Sequence, residues 1–272
     1  MHDTIFGAAE AIRRADAILV GAGAGMGVDS GLPDFRGPEG FWKAYPAFAQ
    51  RGYCFEEMSS PSCFRDDPEQ AWGFFGHRLN LYRDTPPHAG FDILRRWCEG
   101  RKAHGFVFTS NVDGHFQRSG FNPDQVLECH GSIHYLQCTR ECIHDIWPVG
   151  DLSVEVDPET IRAAPPLPVC PHCGSLARPN ILMFGDFGWR WERRDAQQRH
   201  YQSWLATIGG LRLAVIEIGA GTAIPTVRHA CERHAGQLIR INPRDPETPP
   251  GGISIPLGGL EALDQINTAM DP

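Results

Sequence analysis

Short apolar runs alternate along this chain with segments of helical periodicity. The runs lie at 16–21, 105–111, 211–219 and 236–242, and the helical segments at 7–15, 69–83, 88–99 and 225–235. Strands that are apolar along most of their length and alternate with helices are typical of a parallel sheet buried on both faces. We therefore predict an α/β fold with a doubly wound, mainly parallel sheet, whose ligands bind beyond the carboxyl ends of the strands.

Two segments interrupt this alternation. Residues 39–86 are rich in aromatic residues and helical in pattern, and residues 134–180 carry two close cysteine pairs and a proline-rich connector. We predict a discontinuous main domain formed by 1–38, 87–133 and 181–272. A helical insertion (39–86) and a metal-binding module (134–180) interrupt it.

Charge and hydropathy exclude some classes of partner. The formal net charge of -8 argues against a nucleic-acid-binding surface as the main function. No apolar run approaches the roughly 20 residues that span a bilayer, and charges interrupt the N-terminal segment, unlike a signal peptide. We expect a cytoplasmic protein with no nucleic-acid or membrane partner, and the oligomeric state stays open.

The cysteine pairs have the spacing of a metal site. Cys138-x3-Cys142 and Cys170-x2-Cys173 are separated by a longer loop, as in structural zinc ribbons, where four thiolates complete a tetrahedron. Such a closed site stabilises the fold and leaves no coordination position for chemistry. His144 and His172 are alternative ligands, and unligated cysteines are the other alternative.

A glycine-rich turn follows the first apolar run, in "DAILVGAGAGMGVDSGLPDFRG". Glycines let the backbone approach a pyrophosphate closely. The dehydrogenase fingerprint Gly-x-Gly-x-x-Gly lacks its last glycine in every register, so a dehydrogenase is the weakest alternative. Asp34, Phe35 and Arg36 place a carboxylate, an aromatic ring and a guanidinium side by side, which suits a nucleotide sugar and a cationic nicotinamide. The alternative is a surface turn with a local Asp–Arg pair.

Polar residues follow the second apolar run. Ser110, Asn111 and Asp113 lie at its carboxyl end, where this fold class binds ligands, although the same residue types also form turns. His130 precedes Gly131 after a further apolar stretch, and an imidazole of ordinary pKa suits proton abstraction at neutral pH. The chain has 12 histidines, so His130 is distinguished from the others only by its neighbouring motifs.

Taken in order, these motifs resemble those of the sirtuin family of NAD-dependent protein deacylases over almost the whole chain. The matching segments are "GAG…SGLPDFRG", "SNVDG", "CHG", the two cysteine pairs, "RPNILMFGD", "GAGTAIP" and "RIN". The resemblance implies a Rossmann-like, NAD-binding main domain and a structural zinc ion. It also implies that the acyl group of a lysine in a protein or peptide is transferred to ADP-ribose, with release of nicotinamide.

The resemblance also implies roles for individual residues. His130 is the general base and Asn111 the second catalytic residue. The residues expected to contact NAD are Gly23, Ala24, Gly25, Asp34, Phe35, Arg36, Ser110, Asn111, Asp113, His130, Gly221, Thr222 and Asn242. The segment expected to pair with the substrate peptide as an added strand contains Ile181, Leu182, Phe184 and Gly185.

Some positions depart from the family pattern. Ser110 stands where the family has Gln, Phe116 where it has His, and Asp186 where it has Glu, while His115 lies one place earlier than the family's His. Ser110 and Phe116 motivate one alternative, an NAD glycohydrolase or mono-ADP-ribosyltransferase on the same scaffold. A non-catalytic NAD-binding module is a further alternative, against which the retained His130 and Asn111 argue.

A family subgroup that removes acidic acyl groups has Tyr-x-x-Arg in its helical insertion. Here the same place reads Phe75-x-x-Arg78, so the cation is present without the phenol. Arg78 is a candidate partner for an acyl carboxylate. The alternative is an ordinary arginine on the helix surface.

Overall fold

The computed structural model describes residues 2–34, 37–142, 144–234 and 236–270, without the side chains of residues 2 and 37–39. Its strands are β1 Ala17–Ala22, β2 Gly105–Thr109, β3 Val126–Glu128, β4 Gly131–Cys138, β5 Trp147–Pro148, β6 Ala177–Ile181, β7 Leu213–Ile218, β8 Gln237–Ile241 and β9 Ile253–Ile255. Its α-helices are α1 His2–Arg14, α2 Gly37–Ala44, α3 Pro46–Gln50, α4 Phe55–Met58, α5 Pro61–Asp66, α6 Pro68–Asp84, α7 Ala89–Glu99, α8 His115–Arg118, α9 Glu192–Thr207, α10 Thr226–Glu232 and α11 Gly259–Met270. Short 3-10 helices cover Ala24–Ser30 and Pro123–Gln125.

Six strands form a parallel sheet in the order β3-β2-β1-β7-β8-β9. The central strand β1 is buried along its whole length. One apolar core lies between the sheet and α1, α7 and α11, and a second lies between the opposite face and α9 and α10. The predicted doubly wound α/β fold is confirmed. The strand order reverses between β1 and β7, so a crevice is expected at the carboxyl ends of these two strands.

The observed element ends differ from the sequence predictions by a few residues. β2 stops at Thr109 rather than 111, because the Asn111 N–H bonds to the Thr109 hydroxyl and not to a neighbouring strand. Helix α9 was not predicted. Its sequence is highly charged and buries only Gln197, Tyr201 and Trp204, so it lacks the apolar stripe that marks most surface helices.

A small lobe is formed by α2–α6 together with the antiparallel sheet β5-β4-β6. Both parts contribute to one aromatic core, in which Phe41 and Phe74 of the helices share a cluster with Leu136 of β4 and with Val154. The helical insertion and the cysteine module therefore pack together as one unit. The boundaries drawn at 133 and 181 remain predictions, and the small sheet extends across them from Gly131 to Ile181.

The two longest helices in the described ranges are α6 and α9, with 17 and 16 residues. Both bury aromatic side chains against the rest of the molecule, among them Trp72 of α6 and Trp204 of α9. Within those ranges, no helix has the length and apolar character needed to cross a membrane.

Candidate active site

Two glycine loops meet at the reversal point of the main sheet. The first loop is residues 23–25 after β1, and the second is residues 219–222 after β7. The Gly25 N–H donates to the Gly219 carbonyl at 3.1 Å. Gly219 has φ +61°, and a Cβ there would lie 2.5 Å from the Gly25 Cα. Only glycine allows the backbones to approach this closely.

Asn111 is fixed by hydrogen bonds at the ends of β1 and β2. The Thr109 hydroxyl donates to the Ala22 carbonyl at 2.9 Å and accepts the Asn111 N–H at 3.0 Å. The Asn111 side-chain N–H donates to the Gly23 carbonyl at 3.0 Å. Because one N–H of its side-chain amide is engaged, a ligand in the cleft would meet its carbonyl oxygen and its second N–H.

Asp113 is oriented by two neighbouring histidine residues. Its carboxylate accepts a hydrogen bond from the main-chain N–H of His115 at 2.8 Å, and its main-chain carbonyl accepts one from the ring of His134 at 2.7 Å. His115 is completely buried, with its ring against Phe91, and burial lowers its pKa. The histidine at position 115 is therefore a core residue beneath the site.

His130 lies in the turn that joins the main sheet to the small lobe. Its carbonyl accepts the Leu182 N–H at 2.9 Å. The next residue, Gly131, has φ +80°, and a Cβ there would come within 2.1 Å of the Asn180 carbonyl oxygen. The imidazole is partly buried, and burial lowers the pKa of His130 below its usual value. It is therefore a neutral base at neutral pH.

A main cleft of about 690 Å³ brings together most of the residues singled out in the sequence. They come from the sheet edge, helix α6 and the segment after β6. They are Gly23, Ala24, Asp34, Arg78, Ser110, Asn111, Asp113, His130, Ile181, Leu182, Phe184, Gly221 and Thr222. Phe35 and Arg36 lie outside the described residues.

Gly25, Gly185 and Asn242 are not on the cleft lining. Asn242 is fully buried, and its side-chain N–H donates to the Ala220 carbonyl at 2.9 Å. Its side-chain oxygen accepts the N–H groups of Arg244 and Asp245. The structure thus places Asn242 beneath the cleft, where it fixes the loops that line it.

Arg78 points into the site from α6 and is only 6% exposed. The alternative of an exposed helix-surface arginine is therefore wrong. Its guanidinium donates to the Tyr82 hydroxyl at 2.8 and 3.1 Å, 5.2 Å from the centre of the Phe74 ring. Tyr82 also lines the cleft and thus places a phenol beside Arg78, which sequence reasoning missed. The i, i+4 spacing on one helix was the available signal.

The segment after β6 is held by its own chain. The N–H groups of Leu182 and Phe184 donate to the carbonyls of His130 and Ser59, both at 2.9 Å. The Met183 N–H donates to Asp186 at 3.3 Å, and the Asp186 carboxylate forms a buried ion pair with Arg178 at 2.8 Å. The strand itself ends at Ile181. Because these three N–H groups are engaged, an added peptide strand would have to bond mainly to the carbonyls of this segment.

The four cysteines converge in the small lobe. The sulfur atoms of Cys138 and Cys173 are 3.7 Å apart, those of Cys142 and Cys170 are 3.6 Å apart, and all four lie within 4.8 Å of one another. A tetrahedron of thiolates at the usual Zn–S length has edges of about 3.8 Å. The donor set therefore fits a structural zinc ion.

Comparison with known proteins agrees with this architecture. Residues 23–207 match the model of the Sir2 family. The chain belongs to this family.

Curated relatives include the NAD-dependent protein deacylase 1 of Archaeoglobus fulgidus, which is 30% identical over 90% of this chain and 89% of its own length. The NAD-dependent protein deacylase of Thermococcus kodakarensis is 32% identical over 86% and 83%. A crystal structure of a Sir2 homolog–NAD complex covers 96% of this chain and 92% of its own, with a TM-score of 0.68 at 24% identity. That structural likeness supports the fold.

This sirtuin also has a side cleft of about 510 Å³, which sequence reasoning missed. It shares His130 and Leu182 with the main cleft, and Trp189 and Trp191 contribute to its wall. Cys129 also lines it, and burial raises the pKa of that thiol to about 12, so it is not a nucleophile at neutral pH. The main cleft is therefore the candidate site of chemistry.

Proposed function

We propose that this sirtuin is an NAD-dependent protein-lysine deacylase, which transfers the acyl group to ADP-ribose and releases nicotinamide. The observation that carries the proposal is a neutral, partly buried His130 in the same cleft as Asn111, Asp113 and both glycine loops. Deacylase relatives that cover most of the chain support it.

The sheet edge would hold NAD. Gly23, Ala24, Gly221 and Thr222 line the cleft at the reversal point, where closely approaching backbone suits a pyrophosphate. Asn111 and Asp113 follow β2 and would orient the nicotinamide ribose and the nicotinamide amide. Ser110 lies beside them on the lining. Phe35 and Arg36 are proposed to cover the nicotinamide ribose, as the family resemblance implies.

The chemistry needs one proton acceptor. Nicotinamide leaves NAD as a neutral molecule, so its bond to the ribose breaks readily when the acyl oxygen attacks the sugar carbon. His130 then accepts the proton of a ribose hydroxyl, whose oxygen attacks the acyl carbon. The bond between that carbon and the lysine nitrogen breaks, the amine leaves with a proton, and a water molecule supplies the oxygen that completes the ester on ADP-ribose. A pKa held low by burial keeps the imidazole in its basic form for this step.

The acylated lysine would come from a protein or peptide. Ile181, Leu182 and Phe184 line the cleft beside His130, and Gly185 follows with φ +64°. We propose that the peptide backbone donates hydrogen bonds to the carbonyls of this segment, because the N–H groups of Leu182, Met183 and Phe184 are already engaged.

The acyl group is proposed to carry a carboxylate. Arg78 lines the main cleft, and its guanidinium donates two hydrogen bonds to the Tyr82 hydroxyl. Burial raises the pKa of Tyr82, so the phenol stays protonated and can donate a hydrogen bond to an acyl carboxylate beside the cation. A succinyl-type chain would satisfy both groups.

The test is nicotinamide release from NAD, with and without a panel of acetyl-, longer-acyl- and succinyl-lysine peptides. Peptide-dependent release, deacylated product and loss of about 10²–10⁴ in rate for His130→Ala are expected. Release that needs no peptide would favour a glycohydrolase or ADP-ribosyltransferase, as Ser110 on the cleft lining suggests. NAD binding without any release would leave a non-catalytic NAD-binding module.

A further inference from the structure

A buried group of charges lies beneath the second glycine loop. Glu217 of β7 is fully buried, and Arg240 of β8 bonds to both of its carboxylate oxygens at 2.7 and 2.8 Å. Arg240 also bonds to Glu232 at 2.6 Å. Arg228 of α10 lies 3.8 Å from Glu217. Buried charges are costly unless paired, so each fixes the position of the others.

Arg228 reaches from this group to two surface loops. Its Nε donates to the Ala220 carbonyl at 3.3 Å, and its Nη2 donates to the Asp245 carbonyl at 2.5 Å. Ala220 follows β7, Asp245 follows β8, and both line the main cleft. One side chain, itself 9% exposed, therefore joins two separate stretches of the cleft wall.

The loop after β8 is joined to the Ala220 carbonyl a second time, by the side chain of Asn242. Asn242 also accepts the Asp245 N–H. The carbonyl of Asp245 is thus linked to Ala220 through Arg228, and its N–H is linked to Ala220 through Asn242. The proposed base His130 lies elsewhere in the cleft, between β3 and β4. A change at Arg228 should therefore alter the loops after β7 and β8 and leave His130 in place.

We propose that Arg228 is a positioning residue for NAD, which holds the loops 219–224 and 242–247 in their binding arrangement before the ligand arrives. The inference rests on the proposed function only for the identity of the ligand. Ordering a loop costs conformational entropy, and loops that are already ordered in the folded protein do not add this cost to NAD binding. Loss of the Arg228 hydrogen bonds to the Ala220 and Asp245 carbonyls, here called the tether, should therefore weaken NAD affinity and raise the KM for NAD, with kcat nearly unchanged.

Arg228→Lys tests the tether. Lysine keeps a positive charge opposite Glu217, but one ammonium group at the end of a linear chain cannot reproduce the planar fork that reaches both carbonyls. We expect NAD affinity, measured by calorimetric titration, to weaken about tenfold, which is the usual effect of losing a charged hydrogen bond. KM for NAD should rise in parallel, and kcat should stay within about twofold.

Hydrogen exchange supplies a readout that does not depend on activity. In Arg228→Lys, exchange should quicken in 219–224 and 242–247 while β7 and β8 stay protected. Arg228→Gln, which leaves Glu217 with one cation fewer, should weaken NAD binding further. Arg212→Lys is the matched control, since Arg212 is exposed and pairs with Asp16 at the opposite end of the sheet. It should change neither readout.

Each outcome decides. Unchanged NAD affinity and unchanged exchange in Arg228→Lys would overturn the inference. Faster exchange throughout β7, β8 and α10, with a lowered melting temperature and equal losses in kcat and affinity, would also overturn it, because the residue would then be merely structural. If the parent protein did not bind NAD, the proposed function would be wrong. Faster exchange in Arg228→Lys that is confined to 219–224 and 242–247 would then still show that Arg228 orders these two loops.

Discussion

The two walls of the main cleft are built in different ways. On the sheet side, the wall is largely backbone: two glycine loops in contact, with Asn111 fixed by bonds to main-chain groups. On the small-lobe side, the wall is made of side chains such as Arg78 and Tyr82, which project from a helix. A backbone wall requires particular residues at particular places and leaves a motif in the sequence. A side-chain wall can be assembled from several positions, so its chemistry is visible only after folding.

Zinc removal should have the largest effect and should separate the two walls. The four thiolates join the end of β4 to the turn before β6, and structural zinc contributes about 10 kcal/mol or more to folding in small modules. Chelation under mild denaturant should abolish deacylation and expose the amides of β4, β6 and α6. The main sheet should keep its protection in hydrogen exchange. A sheet that unfolds together with the lobe would show that the two walls are one cooperative unit.

Gly219→Ala should damage the backbone wall. The new Cβ would lie 2.5 Å from main-chain atoms of Gly25, at φ +61°, so stability should fall by about 3 kcal/mol and NAD affinity by more than about 100-fold. Denaturant melts and NAD titration measure both.

Gly210→Ala is the matched control for that substitution. Gly210 also has positive φ, at +80°, but a Cβ there meets nothing within 4 Å. It should lose only about 1 kcal/mol, from the backbone conformation alone, and should bind NAD normally. Equal losses in the two variants would mean that the close contact between the glycine loops is unimportant.

Arg78→Met should change the substrate preference set by the side-chain wall. Turnover of a succinyl-lysine peptide should fall about 10- to 100-fold, the usual range for a charge-assisted hydrogen bond, while acetyl-lysine turnover stays within about threefold. Arg65→Met, an exposed arginine of the same lobe that pairs with Asp66, should leave both rates unchanged. Equal succinyl-lysine turnover in Arg78→Met and the parent would remove the carboxylate role.

The pH dependence should give the smallest effect. As the proposed base, His130 would accept a proton only when neutral, and burial lowers its pKa from the usual value near 6.5. Activity should therefore be full at neutral pH and fall only as the pH drops through this lowered pKa. A profile of kcat/KM from pH 5 to 8 should show an acid limb with its midpoint below 6.5. A midpoint above 7 would contradict a burial-lowered base.

What the sequence could predict follows the same division. The apolar runs predicted the sheet, and the cysteine spacing predicted a cluster that the structure assembles. Asn111, Asp113 and His130 follow strands, so their convergence could be expected from the fold class. Tyr82 was missed because it supplies its hydroxyl from the next helical turn. Trp189 and Trp191 were missed because their segment has no periodic pattern. Asn242 was expected to contact NAD, but its burial beneath the cleft depends on tertiary contacts that the motif does not encode.

The crossing between the sheet and the small lobe has a kinetic consequence. Besides the connections before α2 and after α6, the chain passes between them at His130–Gly131 and at Ile181–Leu182, and these two crossings are hydrogen-bonded side by side. A rocking motion of one lobe against the other that pivots near these two crossings would move His130, the proposed base, least and the mouth of the cleft most. Added viscogens should therefore slow steps that need the mouth to open, such as product release, and leave the rate of proton transfer almost unchanged.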